Sequence, residues 1–344
     1  MRQLFYTEHG LELQKDAPEP EIKAADDVKI RVACCGVCGS DLHFLRKEMD
    51  FLVLANTTHY PLGHEATGII TELGPEATTK GLKVGDKVIY YYNQYCGKCH
   101  YCQNGQEHLC SNVKSNMSAM ADYIVTSEAT VFKLDDDADM EKSVFHEPIS
   151  VCLHGVDLAQ IKPGKSVMIS GGGGIGLILL QLAKLSGAAN LTLCEPLAWK
   201  REVGKKLGAV HTIDPSSENV GEMALKYTDG LGFDVVIEAS GSTKACPGAL
   251  DAVGRGGTLE FFAALYDVNY NFPLNLQSAF FKEVTIVAGV FQSPYVFPRT
   301  LRLFKMLDID TLMSDGCVFD AEQYEEAFDA QLKGRTIKSI LKFS

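Results

Sequence analysis

The sequence predicts an α/β fold in two parts, a β-rich module and a doubly wound parallel sheet. Three observations carry this. Up to about residue 150 the chain consists of short polar–apolar alternations separated by turns. Beyond that point, apolar runs of strand length alternate with helix-periodic runs. A glycine-rich turn, Gly171 to Gly176, joins the first such strand to the first such helix. At 344 residues the chain is also longer than one core usually serves, so two domains are expected.

Each element has its own signal. Val28 to Val32 (VKIRV) alternates as a half-buried strand, and Ala66 to Leu73 and Val88 to Tyr92 follow it. The turn Val84-Gly85-Asp86-Lys87 separates two of these strands. In the second part Ser166 to Ser170 (SVMIS), Leu191 to Cys194, Phe233 to Glu238 (FDVVIE), Thr258 to Ala263 and Val284 to Val290 read as strands. Leu177 to Leu185 and Lys200 to Leu207 read as helices between them. After Val290 the pattern breaks, and Ser339 to Phe343 is a last strand that could return to the first module. The sequence shows no internal repeat, low-complexity segment or disordered linker.

Hydrophobic content of 46% and charged content of 22% describe an ordinary globular protein. A net charge of −12 argues against binding nucleic acid and predicts no attraction to anionic membranes. No apolar run is long enough to span a bilayer, and the N-terminal residues lack the apolar core of a signal peptide. Cys34, Cys35, Cys38, Cys152, Cys194, Cys246 and Cys317 are scattered through apolar surroundings, which suits reduced thiols in a cytoplasm.

The remaining cysteines, Cys96, Cys99, Cys102 and Cys110, form a C-x2-C-x2-C-x7-C run, with Gly97 and Gly105 relieving the tight turns. Four soft thiolates at this spacing are what a closed tetrahedral zinc site needs, and four protein ligands leave no open position, so the site is structural. An iron–sulfur cluster is the rival. Its usual run places the fourth cysteine three residues on with a proline after it, whereas here the gap is seven and Ser111 follows.

Gly171, Gly173 and Gly176 give G-x-G-x-x-G between a predicted strand and a predicted helix. The first glycine makes the tight turn, the second lets the backbone approach a pyrophosphate, and the third allows close helix–strand packing. Helix N-terminal amides then face the phosphates. Glu195 ends the next strand, where an acid accepts hydrogen bonds from ribose hydroxyls and repels a 2′-phosphate, favouring NAD over NADP.

Three further segments carry candidate chemistry: Cys38-Gly39-Ser40-Asp41-Leu42-His43 on a loop after the first strand, Gly63-His64-Glu65, and Glu147-Pro148. One thiolate, one imidazole and a carboxylate, with water in the last place, match an open catalytic zinc site.

Taken together, these motifs resemble the zinc-containing medium-chain dehydrogenases, the alcohol and polyol dehydrogenase family, over essentially the full length. The matching residues are Cys38 in CGSDLH, Gly63-His64-Glu65 with Gly68 and Gly74, Gly85-Asp86, the four-cysteine lobe, Glu147-Pro148, and the glycine loop with Glu195. The resemblance implies a GroES-like β-rich catalytic domain over 1–150 and 289–344, carrying two zincs, and a Rossmann NAD-binding domain over 151–288, with the active site between them. It implies a catalytic zinc held by Cys38, His64 and either Glu65 or Glu147, and Asp41 as the carboxylate that orients His64. A glutamate at 147, where other members have cysteine, resembles the sorbitol and polyol branch. The cofactor site is expected to comprise Gly171, Gly173, Gly174, Ile175, Gly176, Glu195, Lys200, Ser240 and Val290.

The implied reaction takes a hydride from a secondary alcohol, a polyol or sugar-derived alcohol, to NAD, giving a ketone. The zinc lowers the pKa of the alcohol, and Ser40 passes its proton by way of the cofactor ribose toward His43, or water carries it. In sorbitol dehydrogenases an arginine and a tyrosine contact the polyol where this chain has Gln292 and Ser293, and Phe44 stands where a tyrosine is common. Sorbitol itself is therefore not favoured. Phe44, Phe51, Leu54 and His59 are expected to border the pocket. The resemblance implies a homodimer or homotetramer. A threonine dehydrogenase or simple secondary-alcohol dehydrogenase is the enzymatic alternative, and a dinucleotide-binding relative without catalysis is the non-enzymatic one.

Overall fold

In the strand Asp27–Gly36 (β1) the apolar residues Val28, Ile30 and Val32 alternate inward, and the strand becomes fully buried toward its end. That burial makes it central. In the computed structural model, which describes residues 1–46, 56–265, 269–290, 292 and 294–344, β1 pairs antiparallel with Glu65–Leu73 (β2) on one side. On the other side it pairs with the C-terminal strand Ile340–Lys342, in the register Ile340 opposite Gly36. Val131–Lys133, Lys87–Tyr90 and Val318–Asp320 extend this sheet, and Tyr123–Ser127 also pairs with β1. Its core gathers Leu4, Val28, Ile30, Ile70, Tyr90, Phe297, Phe328 and Leu341. These elements belong to one compact unit, Met1–Pro148 with Gln292–Phe304 and Met313–Ser344.

The second unit, Ile149–Phe291 with Lys305–Leu312, is built on a parallel sheet. Residues 305–312 cluster here, although the expected boundaries put them in the first module. The strands are Ser166–Ser170 (β3), Asn190–Cys194 (β4), His211–Ile213 (β5), Phe233–Glu238 (β6), Val253–Phe261 (β7) and Thr285–Ala288 (β8). They lie in the order β5-β4-β3-β6-β7-β8, and every pairing is parallel. The strand order reverses between β3 and β6, the position where ligands bind beyond the carboxyl ends in such sheets.

Several elements depart from the sequence reading. The Cys38 segment is not a loop: Gly39–Arg46 is a helix (α1), with Asp41 accepting the Cys38 amide at 2.9 Å. Short β5 is too brief to show a period, whereas the helix Val220–Tyr227, absent from the sequence reading, sets Val220, Met223, Ala224 and Tyr227 on one core-facing stripe. β7 begins at Val253 because its glycine run, which reads as a turn, stays in the strand as an irregularity: Gly256 takes φ +68° where the register shifts opposite Phe233 and Val235.

Within the second unit, Glu260 on β7 is fully buried, and neither carboxylate oxygen has a partner among the described residues. Gly155 and Gly289 leave it room; a Cβ at those positions would stand 3.0 and 3.8 Å from its Oε1. Burial pushes its pKa up from 4.5 to about 8. The folded protein therefore keeps a proton that the unfolded chain has lost, so Glu260 weakens stability progressively from about pH 4.5 to about pH 8. Glu260→Gln should flatten that slope. Unfolding midpoints measured across this range should show the variant gaining on the parent as pH rises, and a constant gap would mean Glu260 does not titrate there.

Candidate active site and metal centres

Gly63 has φ +97°, and a Cβ on it would run into Met120 and the Cys35 sulfur, so only glycine turns the chain here. The turn delivers His64 and Glu65 to the start of β2, both buried. Glu65 faces Gly36 across the β1–β2 pair, and a Cβ on Gly36 would collide with the Glu65 carboxylate. Cys38 follows β1 directly. These three elements bring ligand atoms of Cys38, His64 and Glu65 within 4.8 Å of one another. Glu65 Oε1 and His64 Nδ1 are buried without partners among the described residues. Burial pulls the His64 pKa down, but Cys38, Asp41 and Glu147 outweigh it and push the imidazole up to about 10.

Glu147 lies outside this group. It sits in the first turn of the helix His146–Ala159 (α2), whose start is fixed by His146 stacking on Phe304 at 4.0 Å. Its Oε1 accepts from Gln292 Nε2 at 3.4 Å. Burial raises its pKa to about 7, with Glu65 adding to the rise while His64 and Lys338 oppose it. Asp41 does not orient His64 through a hydrogen bond: its Oδ2 accepts the Cys38 amide, and its Oδ1 has no partner. Ser40 and His43 both lie on α1; the Ser40 hydroxyl is buried without a partner and His43 is half-buried. Phe44 is buried in the core against Tyr6 and Tyr60. His59 is exposed on a short strand opposite Thr7. Phe51, Leu54 and Ser293 lie outside the described residues.

Lys338 gave no signal in the sequence. It is 4% exposed, donates to Glu65 Oε2 at 2.5 Å and to the Val37 carbonyl at 3.2 Å, and so pairs one oxygen of the carboxylate that groups with Cys38 and His64. A lysine before a C-terminal strand is unremarkable until the fold brings it to a carboxylate 273 residues away.

Cys96, Cys99, Cys102 and Cys110 converge in a lobe whose turns use Gly97 and Gly105 at φ +68° and +70°. The sulfur separations of Cys99 are 3.5 Å to Cys102 and 3.9 Å to Cys110, and Cys96 is 4.0 Å from Cys102. Zinc–sulfur bonds of about 2.3 Å in a tetrahedron require edges of roughly 3.8 Å. Backbone amides of Cys96, Cys99 and Asn112 donate to the sulfurs at 3.3 to 3.4 Å, which favours thiolates. The Cys102 and Ser111 backbones pull Cys99 down to about 6.

In the second unit the glycine loop closes β3 onto the helix Gly174–Leu185 (α3). Gly171 has φ +107°, and a Cβ there would meet Ser240 Cα at 2.8 Å; a Cβ on Gly176 would strike the Gly171 carbonyl. The space above Gly173 is open. Gly174 and Ile175 form the first turn of α3, where amides are unsatisfied by the helix. Glu195 accepts from the Gly172 amide at 2.7 Å and the Leu197 amide at 2.8 Å, which fixes it beside the loop. Ser240 donates from its amide to Glu238 Oε1 at 2.9 Å, at the end of β6. Lys200 is half-buried with its ammonium 5.6 Å from the Trp199 ring, and Val290 is exposed just past β8.

Comparison with known proteins agrees with this geometry. Residues 24–136 match the family model of the alcohol dehydrogenase GroES-like domain, and residues 174–306 that of zinc-binding dehydrogenase. The chain is 34% identical to the L-threonine 3-dehydrogenase of Pyrococcus furiosus, over 97% of this chain and 95% of the relative. It is 32% identical to the D-arabitol-phosphate dehydrogenase of Enterococcus avium, over 95% of this chain and 92% of that one. A candidate zinc-binding dehydrogenase from Sinorhizobium meliloti, solved with NADP, is 28% identical with a TM-score of 0.89, covering 99% of this chain and 98% of the other. The chain belongs to the zinc-binding alcohol dehydrogenase family.

A member of this family is a zinc-dependent alcohol oxidoreductase with a GroES-like and a Rossmann domain. Both groups of side chains fit the metal. The cysteine lobe offers four sulfurs at tetrahedral spacing, and Cys38, His64 and Glu65 offer three donors, two of them with buried atoms lacking any other partner. Three donors leave a fourth position for a reacting oxygen. Among the described residues no helix is long and apolar enough to cross a membrane.

Two substitutions should separate the sites. Cys99→Ala should lose one zinc per chain and lower Tm by about 5–10 °C, whereas Cys38→Ala should lose the other zinc and all turnover with Tm nearly unchanged. Metal analysis with thermal unfolding reads both, and an unaltered Tm in Cys99→Ala would rule out a structural lobe.

Proposed function

We propose that this protein oxidises a secondary alcohol of the polyol or sugar-derived class to a ketone, with NAD as hydride acceptor. The single observation that carries the reading is the three-donor group of half-buried Cys38 with buried His64 and Glu65, and Glu147 close enough to perturb it electrostatically. When bound, zinc supplies a Lewis acid that acidifies the alcohol, and NAD supplies the hydride acceptor. The chain's own residues do the rest. Cys38, His64 and Glu65 hold the metal and leave one position open. Lys338 keeps one Glu65 oxygen occupied, so Glu65 offers a single donor atom. Ser40, whose buried hydroxyl has no partner among the described residues, relays the alcohol proton by way of the cofactor ribose toward His43 on the same helix.

The glycine loop holds the pyrophosphate against the N-terminus of α3. Glu195, fixed by two backbone amides, is placed to accept from ribose hydroxyls and to repel a 2′-phosphate. Arg201, beside Glu195, is committed to the Glu195 and Pro196 carbonyls and to Asp214, which leaves it poorly available to a phosphate. The similarity to arabitol-phosphate dehydrogenase supports a polyol, and the similarity to threonine 3-dehydrogenase makes L-threonine the substrate to set against it.

NADH appearance with polyols, polyol phosphates, sugar acids, secondary alcohols and L-threonine, on protein holding two zincs, tests the reading. Polyols should be turned over fastest; exclusive oxidation of L-threonine would replace the polyol with an amino alcohol. Glu195→Ala should lower the preference for NAD over NADP by about tenfold or more, and an unchanged ratio would remove Glu195 from that role.

A second copy of the chain is the proposed partner. β8 is a free sheet edge among the described residues, and beside it the helix Leu276–Lys282 (α4) exposes Leu276, Phe280 and Phe281. These side chains, with Leu274, Val284 and Ile286, line an apolar groove of about 920 Å³. An open edge next to exposed aromatics is a template for pairing with its own equivalent. Light scattering should give at least a dimer, and Ile286→Lys should shift it toward monomer; a monomeric parent protein would sink the proposal.

A further inference from the structure

The hydroxyls of Tyr91 and Tyr95 both lie within hydrogen-bond reach of the backbone carbonyl of Gln292, at 3.0 and 2.9 Å. The two hydroxyls also touch each other, and Asn93 Nδ2 donates to Tyr91 at 3.2 Å. Gln292 is fully buried, and its carboxamide donates to Glu147 Oε1 at 3.4 Å. Tyr95 directly precedes Cys96, the first ligand of the cysteine lobe. Asn93–Gln94 pairs with Lys114–Ser115, the segment that leaves the lobe after Cys110, and Ser115 donates to Asn93 at 2.6 Å. A continuous chain of contacts thus runs from the mouth of the lobe to the carboxylate.

We infer that Tyr91 and Tyr95 are positioning residues that set Glu147 through Gln292. The inference rests on the proposed function, in which Glu147 stands beside the reacting centre. The two phenols share their protons between each other and one carbonyl, so turning the Gln292 backbone breaks the bond that this pair makes to it. The last link needs that rigidity. At 3.4 Å the carboxamide–carboxylate bond is already long, and a small displacement of the backbone would break it. Glu147, buried and flanked by Glu65, would then rotate away from its present place. The phenols are themselves held by the strand that enters the lobe, which gives the structural metal a mechanical route to the catalytic side without any shared ligand.

The test uses the zinc-loaded protein with Tyr91→Phe and Tyr95→Phe, singly and together, Gln292→Met, and all three combined. The first readout is the rate at which a chromophoric chelator removes the catalytic zinc, identified as the phase missing in Cys38→Ala. The second is kcat against KM for the best alcohol. The double phenylalanine variant should keep its lobe zinc and its NADH affinity, release the catalytic zinc about tenfold faster, and lose about tenfold in kcat with KM for NAD unchanged. Gln292→Met should do the same, and adding the phenylalanines to it should change nothing more. Catalytic zinc release unchanged in the double variant, or effects that add in the triple variant, would overturn the inference. Should the parent protein bind two zincs yet oxidise no alcohol, the functional reading fails while the zinc-release rates still decide this one.

Discussion

Glu65 and Lys338 are both almost fully buried and meet at 2.5 Å, and the architecture of the first unit follows from accommodating them. Burying an unpaired carboxylate or ammonium costs several kcal/mol, and removing one partner of such a pair costs about 3–5 kcal/mol. The pair therefore has to be made by the fold, not merely permitted. Glu65 begins β2, Gly36 ends β1 opposite it, and Ile340 lies opposite Gly36 on the other side. Only a C-terminal segment that returns to β1 can bring Lys338 to the carboxylate. Gly36, between them, leaves the space that the Glu65 carboxylate occupies.

The same region gathers an unusual density of ionisable groups. Cys38, Asp41, His64, Glu65 and Glu147 are close enough to influence one another, and Lys338 is the permanent cation among them. Such a cluster is unfavourable in a protein with nothing to bind and sensible in one that takes up a divalent cation. The unpartnered atoms tell the same story: Asp41 Oδ1, His64 Nδ1 and Glu65 Oε1 are buried and unsatisfied by protein groups. The cysteine lobe is built on a different plan. The Cys96 and Cys110 sulfurs accept backbone amides from the lobe's own turns, so the lobe sets much of its internal sulfur geometry by itself.

How far the sequence could be read depended on the range of the interaction involved. The parallel sheet was legible because β3, β4 and β6 are uninterrupted apolar runs whose periodicity needs no partner to be recognised. The helix at Gly39–Arg46 was missed because Gly39, Ser40 and Asp41 read as turn residues; in the structure Asp41 instead binds the Cys38 amide at the helix start. Phe44 was assigned to a pocket by analogy of position, yet it packs on Tyr6 and Tyr60, contacts that no local pattern encodes. Asp41 was expected to hold His64, and its carboxylate is turned to its own helix start.

The sequence by itself determined the four-cysteine lobe, the glycine loop with Glu195, and the individual segments that supply Cys38, His64 and Glu147. In the lobe and the glycine turn covalent spacing alone brings the donors or amides near one another, while Glu195 is the acid that ends the strand beside that turn. Only the tertiary structure decided that Glu65 sits with Cys38 and His64 while Glu147 stands outside them, that Lys338 pairs with Glu65, and that Tyr91, Tyr95 and Gln292 reach Glu147. Those contacts join residues far apart in the chain, and strand register and burial, not spacing, determine which side chains meet.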